Sequence, residues 1–417
     1  MRNKIKKEDY TMAENNGASS SLAEAIENYT DELAEQYASQ VGVDPRPMET
    51  KKEIDETGAF IRQPNAFIQP FGDKEGDLKA EPGRYSIYWA KGCNWSNRPV
   101  IARDLLGLQD VIGDQLTSRS GKTNKYGHGF GDQPGYQDPA TGAYFLSEFY
   151  KRANPDFKGR ATTPTVVDII EKKAVNNDYH RLSNYIEVQF RPFQPKDAPD
   201  LYPKKFRKEI DELNDWLFPH INNGHYRMAF CQSVQAYDEA FEDFYTSMDK
   251  LEERLETNRF LFGDYITDSD IRFFVTLARW DTSYFRNVGP VKHRIVDYKN
   301  IWGYARELYS IPAFKNNTYL KEFASGPKEG DKLFRGYSAR IASKIDFEAL
   351  WADDGARKHL SKTPDEMFLR HPENETYEDY AGEISQPIWN SPNWDDRNPK
   401  NGTLSVDASI NPLKERF

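Results

Sequence analysis

The chain has 417 residues and a formal net charge of −10, an acidic balance that excludes phosphate-driven binding to nucleic acid as a main role, since that needs clustered Lys and Arg. Its two cysteines, Cys93 and Cys231, are too few for a disulfide framework and too far apart in sequence for a redox pair, so a reducing, cytoplasmic setting is expected. No run reaches the roughly 20 apolar residues of a membrane span, and the basic start Met1 to Lys7 leads into a polar stretch rather than a signal segment, so no membrane partner is expected.

Residues 1–57 are polar and charged and read as an N-terminal arm, with one amphipathic helix where Leu22, Ile26, Tyr29, Leu33 and Tyr37 recur at helical spacing. From 58 to 198, strand and helix patterns alternate. Tyr85 to Trp89 predicts a strand, Trp95 to Gly107 a helix closed by its glycine, Val111 to Leu116 a second strand, and Phe145, Leu146, Phe149 and Tyr150 a second helix. Such alternation predicts an α/β layer with parallel pairing near its start. The β-rich run Ala161 to Asp168 contains Pro164, which marks an edge, a strand start or a cis bond.

Residues 199–325 carry helical patterns. Phe206, Ile210, Leu213 and Leu217 form one apolar stripe, and Tyr237, Phe241, Phe244, Met248, Leu251 and Leu255 form another; both are core faces. Thr267-Asp268-Ser269-Asp270 before an apolar run predicts a capping box, with Thr267 as cap and Asp270 reaching back. Residues 326–417 form a charged, Pro- and Asn-rich C-terminal extension with a short helix near Phe347 to Trp351; from Glu373 on it is expected to lie over the body or to be partly disordered.

Among possible sites, metal chemistry finds no support: the seven histidines are scattered, and His220 and His225 straddle a turn signal that suits capping or surface roles. No dinucleotide loop, phosphate loop or serine-hydrolase elbow is present. Cys93 stands between a strand and a helix, where unpaired backbone N–H groups and the helix dipole favour a thiolate. A buried thiol acting as a small hydrophobe fits the same position. Both readings stand on the local pattern alone.

Larger pieces carry a resemblance. Gly58 to Gln63, Arg84 to Leu108 around Cys93, Asn154 to Arg160, Asp200 to Pro203, Asn222-Asn223-Gly224-His225-Tyr226, Gly263 to Arg279 and Tyr304 to Pro312 together resemble the glutathionyl-hydroquinone reductases, the Xi-class branch of the glutathione transferase superfamily. The match spans roughly Gly58 to Pro312. It implies an α/β plus all-α fold, in which a thioredoxin-like N-terminal domain (58–198) precedes a glutathione-transferase-like helical domain (199–325), with a possible homodimer through the latter. Cys93 matches the family's nucleophile and Tyr226 the tyrosine that donates to the substrate oxygen. Trp95, Thr163, Pro164, Asp178 and Tyr179 match thiol-binding positions; Thr163 precedes the family's cis-proline. Thr267 and Asp270 carry over as a structural cap, and no metal is implied.

The implied co-substrate is glutathione or another low-molecular-weight thiol, and the implied reaction removes a thiol adduct from an aromatic or quinone-derived substrate. Departures accompany the match. The family's Cys-Pro-Trp-Ala-His-Arg is here Cys93-Asn94-Trp95-Ser96-Asn97-Arg98, and its Glu-Ser at the γ-glutamyl end is Asp178-Tyr179. A family arginine aligns with Ser147, and the closing His-Tyr-Tyr has only Tyr337 as a counterpart. Two alternatives follow from these changes: a binding or structural module that keeps the fold, and conventional thiol conjugation in which Cys93 is incidental.

Overall fold

The computed structural model describes residues 42, 53–118, 127–130, 133–289, 291–327, 333–382, 384–385, 406–414 and 416, so the helix expected around Leu22 to Tyr37 lies outside the described residues. The chain divides into two compact units, 50–116 with 162–417, and 1–49 with 117–161.

The larger unit is built on a four-stranded sheet of order β2-β1-β3-β4, with β1 at Tyr85–Trp89, β2 at Gly113–Leu116, β3 at Thr165–Asp168 and β4 at Lys173–Asn176. β1 runs parallel to β2, pairing Ile87 with Asp114, and antiparallel to β3, pairing Ile87 with Val166. Every residue of β1 is buried, which explains why its sequence lacks the polar alternation of a half-exposed strand. β2 starts at Gly113, two residues later than expected. The amides of Val111 and Ile112 turn back to the Leu108 carbonyl at 3.0 and 2.9 Å and are lost to the strand ladder.

Between β1 and β2 runs helix α1, Asn94–Leu105, buried from Asn94 to Arg103 on nearly every face. It ends at Gly107, whose φ of +66° is open to glycine, and a Cβ there would stand 2.8 Å from the Pro195 ring. α1 packs against α2 (Leu182–Gln189) and α6 (Asp268–Arg279), so the sheet layer and the helical body share it.

The helical body adds α3 (Arg207–Leu217), α4 (Gly224–Phe230), α5 (Val234–Thr257) and α7 (Lys299–Tyr309). Ser233 caps α5, its Oγ accepting the Ala236 N–H at 3.1 Å, and the stripe Phe244, Met248, Leu251 and Leu255 is fully buried. Gly224 lets α4 approach α5: a Cβ there would meet the Phe244 ring at 2.7 Å. Ahead of α6, the Asp270 carboxylate accepts the Thr267 N–H at 2.8 Å and its hydroxyl at 3.1 Å. The second carboxylate oxygen takes the Leu261 N–H and the Tyr304 hydroxyl, both at 2.9 Å.

The described parts of the extension are tied to this body by backbone carbonyls. Arg357 donates to the carbonyls of Leu255 and Asn258 at the end of α5, Asp200 N–H bonds the Leu369 carbonyl at 2.9 Å, and Ile266 N–H the Met367 carbonyl at 2.8 Å. α8 (Leu333–Ala342) and a short helix Phe347–Trp351 belong to it, and Trp351 is buried against Phe274, Trp302 and Tyr309.

In the smaller unit, Gly129 bridges Ser118 and Phe145, and Thr117 bonds the His128 ring at 3.0 Å. A helix at Leu146–Ala153 is held at its start by Glu148, whose carboxylate accepts the amides of Tyr144 and Phe145 at 2.7 and 2.9 Å. Ser147 sits in its first turn.

Candidate active site

Cys93 is the N-cap of α1, with φ −104° and ψ 107°. Its carbonyl accepts the amides of Ser96 and Asn97 at 3.0 and 3.1 Å and starts the helix, which leaves the first amides of α1 with no helical acceptor next to the sulfur. The thiol is half-buried and donates to the Thr163 carbonyl at 3.3 Å. Thr163 and Pro164 are joined by a cis peptide bond immediately before β3. Sheet pairing of β1 with β3 thus brings together residues 70 positions apart: the thiol from one strand end and the pre-proline carbonyl from the other.

An aromatic wall adjoins the sulfur. Cys93, Tyr179 and Tyr226 pack on the buried pair Trp95 and Phe218. Ring centroids of Trp95 lie 5.0 Å from Tyr179, 5.5 Å from Phe218 and 5.9 Å from Tyr226. The Arg62 guanidinium stands over Trp95 at 4.7 Å and Tyr226 at 4.4 Å, and its Nε donates to Asn223 at 2.6 Å.

Two substituted positions next to Cys93 acquire partners. The Asn94 Oδ1 accepts the Tyr226 hydroxyl at 3.3 Å, while its Nδ2 is buried with no partner. Asn97 donates to the Asn317 carbonyl at 2.9 Å and fastens α1 to the loop that leads into the extension. The Tyr226 hydroxyl also lies 3.1 Å from that of Tyr284, a residue the sequence reading did not single out. Burial pushes the Tyr284 phenol well above the usual tyrosine range, so it stays protonated and able to donate. His225 stacks on the Tyr284 ring at 3.7 Å; desolvation pushes it well below the usual histidine range and keeps it neutral.

His220 and His225 therefore do not occupy the surface turn expected of them. The stretch Phe218–Asn222 forms a wide helical turn that runs on toward α4 and buries both rings; His220 bonds Asp243 at 2.6 Å. The apolar residues Phe218, Ile221 and Met228 interleaved with them were the available signal.

Asp178 is buried, and one oxygen accepts from Asn65 Nδ2 and from the His180 amide, each at 3.1 Å. The Tyr179 ring packs tilted against Trp95 and against His180, whose centroid is 4.3 Å away. Arg98, one turn past Cys93, also lies over the Trp95 ring, at 4.6 Å; burial, with Arg272 close by, lowers its pKa to about 9. Tyr337 on α8 is 66% exposed, a poor position for a site residue. Cys231 donates to the Met228 carbonyl at 3.1 Å, and burial pushes its thiol up, so it competes weakly as a nucleophile. Among the described residues no group of three or more His, Cys, Asp or Glu is placed to hold a metal ion, and no helix is long and apolar enough to cross a membrane.

The site thus offers a thiol at a helix start, a backbone carbonyl facing it, a phenol held by a second phenol and an amide, and an aromatic wall of mutually tilted rings. That set suits attack by sulfur with protonation of an aromatic leaving group.

Residues 234–307 match the glutathione S-transferase C-terminal domain. Glutathionyl-hydroquinone reductase YqjG of Escherichia coli is 35% identical over 264 residues, 61% of this chain and 80% of that protein. Glutathionyl-hydroquinone reductase PcpF of Sphingobium chlorophenolicum is 34% identical over 244 residues, 58% of this chain and 76% of that protein. Of solved structures, the glutathione-S-transferase Xi from Phanerochaete chrysosporium superposes with a TM-score of 0.62 at 32% identity, covering 67% of this chain and 91% of that one. The glutathione-bound structure of YqjG gives 0.57 at 32% identity, covering 64% and 88%.

Proposed function

Because this chain belongs to the glutathionyl-hydroquinone reductases, the Xi class of the glutathione transferases, we propose that it strips glutathione from a glutathionylated aromatic substrate of the hydroquinone type, with Cys93 as nucleophile and Tyr226 as proton donor. The observation that carries this reading is the Cys93 thiol at the start of α1, 3.3 Å from the carbonyl ahead of cis-Pro164, with the Tyr226 hydroxyl held in the adjoining aromatic wall.

In the first step the Cys93 thiolate attacks the glutathione sulfur. The bond from that sulfur to the ring carbon breaks, the ring takes the electron pair, and a proton completes the hydroquinone. Tyr226 supplies that proton or bonds the ring oxygen while it moves; Tyr284 donates to Tyr226 and steadies the resulting phenolate. In the second step the thiolate of a second glutathione attacks the mixed disulfide, forms glutathione disulfide and returns Cys93 as thiolate. The sum is adduct plus glutathione giving hydroquinone plus glutathione disulfide. Trp95, Thr163, Pro164 and Asp178 line the thiol side in this reading, and Tyr179 narrows its γ-glutamyl end.

In this reading residues 58–198 hold the thiol, 199–325 hold the aromatic part, and 326–417 are an addition. A homodimer is part of the proposal, and sedimentation of the full chain as a monomer would remove that part. A reducing cytoplasm suits a reaction that consumes glutathione. The decisive experiment mixes the protein with one equivalent of glutathionyl-hydroquinone and reads Cys93 by mass spectrometry. A gain of one glutathione on Cys93 and loss of turnover in Cys93→Ala are expected; full turnover by that variant would overturn the mechanism.

A further inference from the structure

Beside the nucleophile lies a cavity of about 370 Å³, lined among others by Gly92, Arg279, Ser283, Arg286, Phe323 and Ala339. Its size suits one substituted ring rather than a large ligand. The residue next to Cys93 forms part of its wall, and α8 of the extension supplies another part through Ala339.

The lining of this cavity includes the basic group of Arg279. Arg279 donates through Nε to the Ser283 hydroxyl at 3.0 Å and through Nη1 to the Gly92 carbonyl, and its guanidinium is clamped over the rings of Phe323 at 4.3 Å and Tyr284 at 4.9 Å. Among the described residues no carboxylate lies within ion-pair distance of it. Its Nη2 makes no hydrogen bond among the described residues. Arg286 also lines the cavity and donates to the carbonyls of Phe323 and Ser325 at 2.9 and 3.0 Å. Among the described lining residues the acid is Glu322, which is 54% exposed and faces Lys91 at 3.7 Å rather than Arg279. Arg279 rests on Tyr284, which bonds Tyr226, so the cationic end of the cavity and the proton donor are linked through one ring.

We propose that this cavity is a subsite for an anionic substituent on the aromatic substrate, a carboxylate first of all, with Arg279 as its ligand. The proposal rests on the adduct-removing reaction above and narrows its substrate class to hydroquinone-type rings that carry an acid group. A fixed guanidinium with free donors matches a carboxylate in geometry and charge, and leaves that charge unpaired when a neutral ring is bound. The same carboxylate chemistry is also carried by glutathione, and the experiment separates the two sources.

The test compares the glutathione adduct of 2,5-dihydroxybenzoate with that of hydroquinone, using the full-length protein, Arg279→Gln and Ala339→Asp. The expected result is a ratio of kcat/KM values at least about tenfold in favour of the carboxylated adduct in the unaltered protein. The ratio falls to near one in Arg279→Gln and below one in Ala339→Asp, which sets a like charge in the wall. Absence of a preference in the unaltered protein, or an Arg279→Gln variant that slows both adducts equally, overturns the proposal; equal slowing assigns Arg279 to a glutathione carboxylate or to the Gly92 carbonyl. Calorimetry with Cys93→Ala covers the case in which neither adduct is turned over and the reaction itself is misassigned. Saturable binding of 2,5-dihydroxybenzoate, at least about tenfold tighter than hydroquinone and weakened as much when Arg279→Gln is added, supports the subsite. No saturable binding overturns it.

Discussion

Replacing Tyr226 by Phe removes one oxygen and separates the two halves of the reaction. Only the first half needs a proton for the ring, so its rate constant should fall by about a hundred- to ten-thousand-fold, the usual worth of a positioned acid. That corresponds to about 3–5 kcal/mol of barrier. Resolution by the second glutathione needs no acid at the ring and should change by less than about threefold. Stability should fall as well. The Asn94 amide is fully buried, its Nδ2 is already unpartnered, and its Oδ1 has the Tyr226 hydroxyl as partner. Losing that hydroxyl orphans the whole group at a cost of about 1–3 kcal/mol. Stopped-flow measurement of hydroquinone release at one equivalent of adduct reads the first half, and disappearance of the Cys93 mixed disulfide on adding glutathione reads the second. Tyr284→Phe is the control: it removes one hydrogen bond but leaves the donor, and about a tenfold loss is expected. Equal losses in both half-reactions would refute the proton-donor role and leave Tyr226 as packing.

Further expectations concern the thiol side, the cap and the extension. Tyr179→Ser removes the ring that packs 5.0 Å from Trp95 and should raise glutathione affinity about tenfold by calorimetry; unchanged affinity would place the γ-glutamyl end elsewhere. Asp270 is fully buried, and desolvation pushes its pKa up to about 6 from 3.8 in spite of its four donors. A raised carboxyl adds stability that is complete below pH 3.8 and lost as pH rises through about 6, here roughly 3 kcal/mol. The penalty of Asp270→Asn should therefore be larger at pH 4.5 than at pH 7.5 when melting temperatures are compared, and a constant penalty would contradict that sign. Arg357→Ala strips donors from the carbonyls of Leu255, Asn258 and Asn300 and should cost about 3 kcal/mol or more, with limited proteolysis opening the extension first.

Legibility of the chain followed what local pattern can encode. The run Tyr85–Trp89 and the glycine-closed α1 announce themselves through composition and punctuation, with bounds within two residues of those observed, and the stripe of α5 marks its buried face inside Val234–Thr257. The pairing of Cys93 with Thr163 comes instead from sheet topology, which no local window contains, and only the resemblance put the two on one page. Arg62, Tyr284 and Arg279 were missed because a lone arginine on a loop or at the last position of a helix, or a tyrosine past a helix end, has no spacing to mark it. Their roles arise from what folds against them: Trp95 and Tyr226 for Arg62, Tyr226 for Tyr284, and Phe323 for Arg279.

The departures from the family pattern divide into two physical kinds. At Asn94 and Asn97 a proline and a histidine give way to amides that bond forward, to the Tyr226 hydroxyl and to the Asn317 carbonyl. These exchanges rewire the support of the nucleophile and leave its helix start intact. At Asp178 and Tyr179 the change is one of volume, because a ring now packs against Trp95 where a small hydroxyl is expected. On the proposed reading, the added ring weakens the hold on glutathione's γ-glutamyl end, while the cavity beside Gly92 strengthens the hold on an acidic ring. Binding energy on that reading moves from the thiol common to all substrates toward the aromatic part that distinguishes them, which is the direction that raises selectivity among adducts. It follows that restoring the small residue at 179 should narrow the preference between carboxylated and neutral adducts, since tighter uniform binding of the glutathionyl part lets both reach the chemical step before they dissociate. Measured kcat/KM ratios in Tyr179→Ser that stay at the level of the unaltered protein would break this link between the two ends of the site.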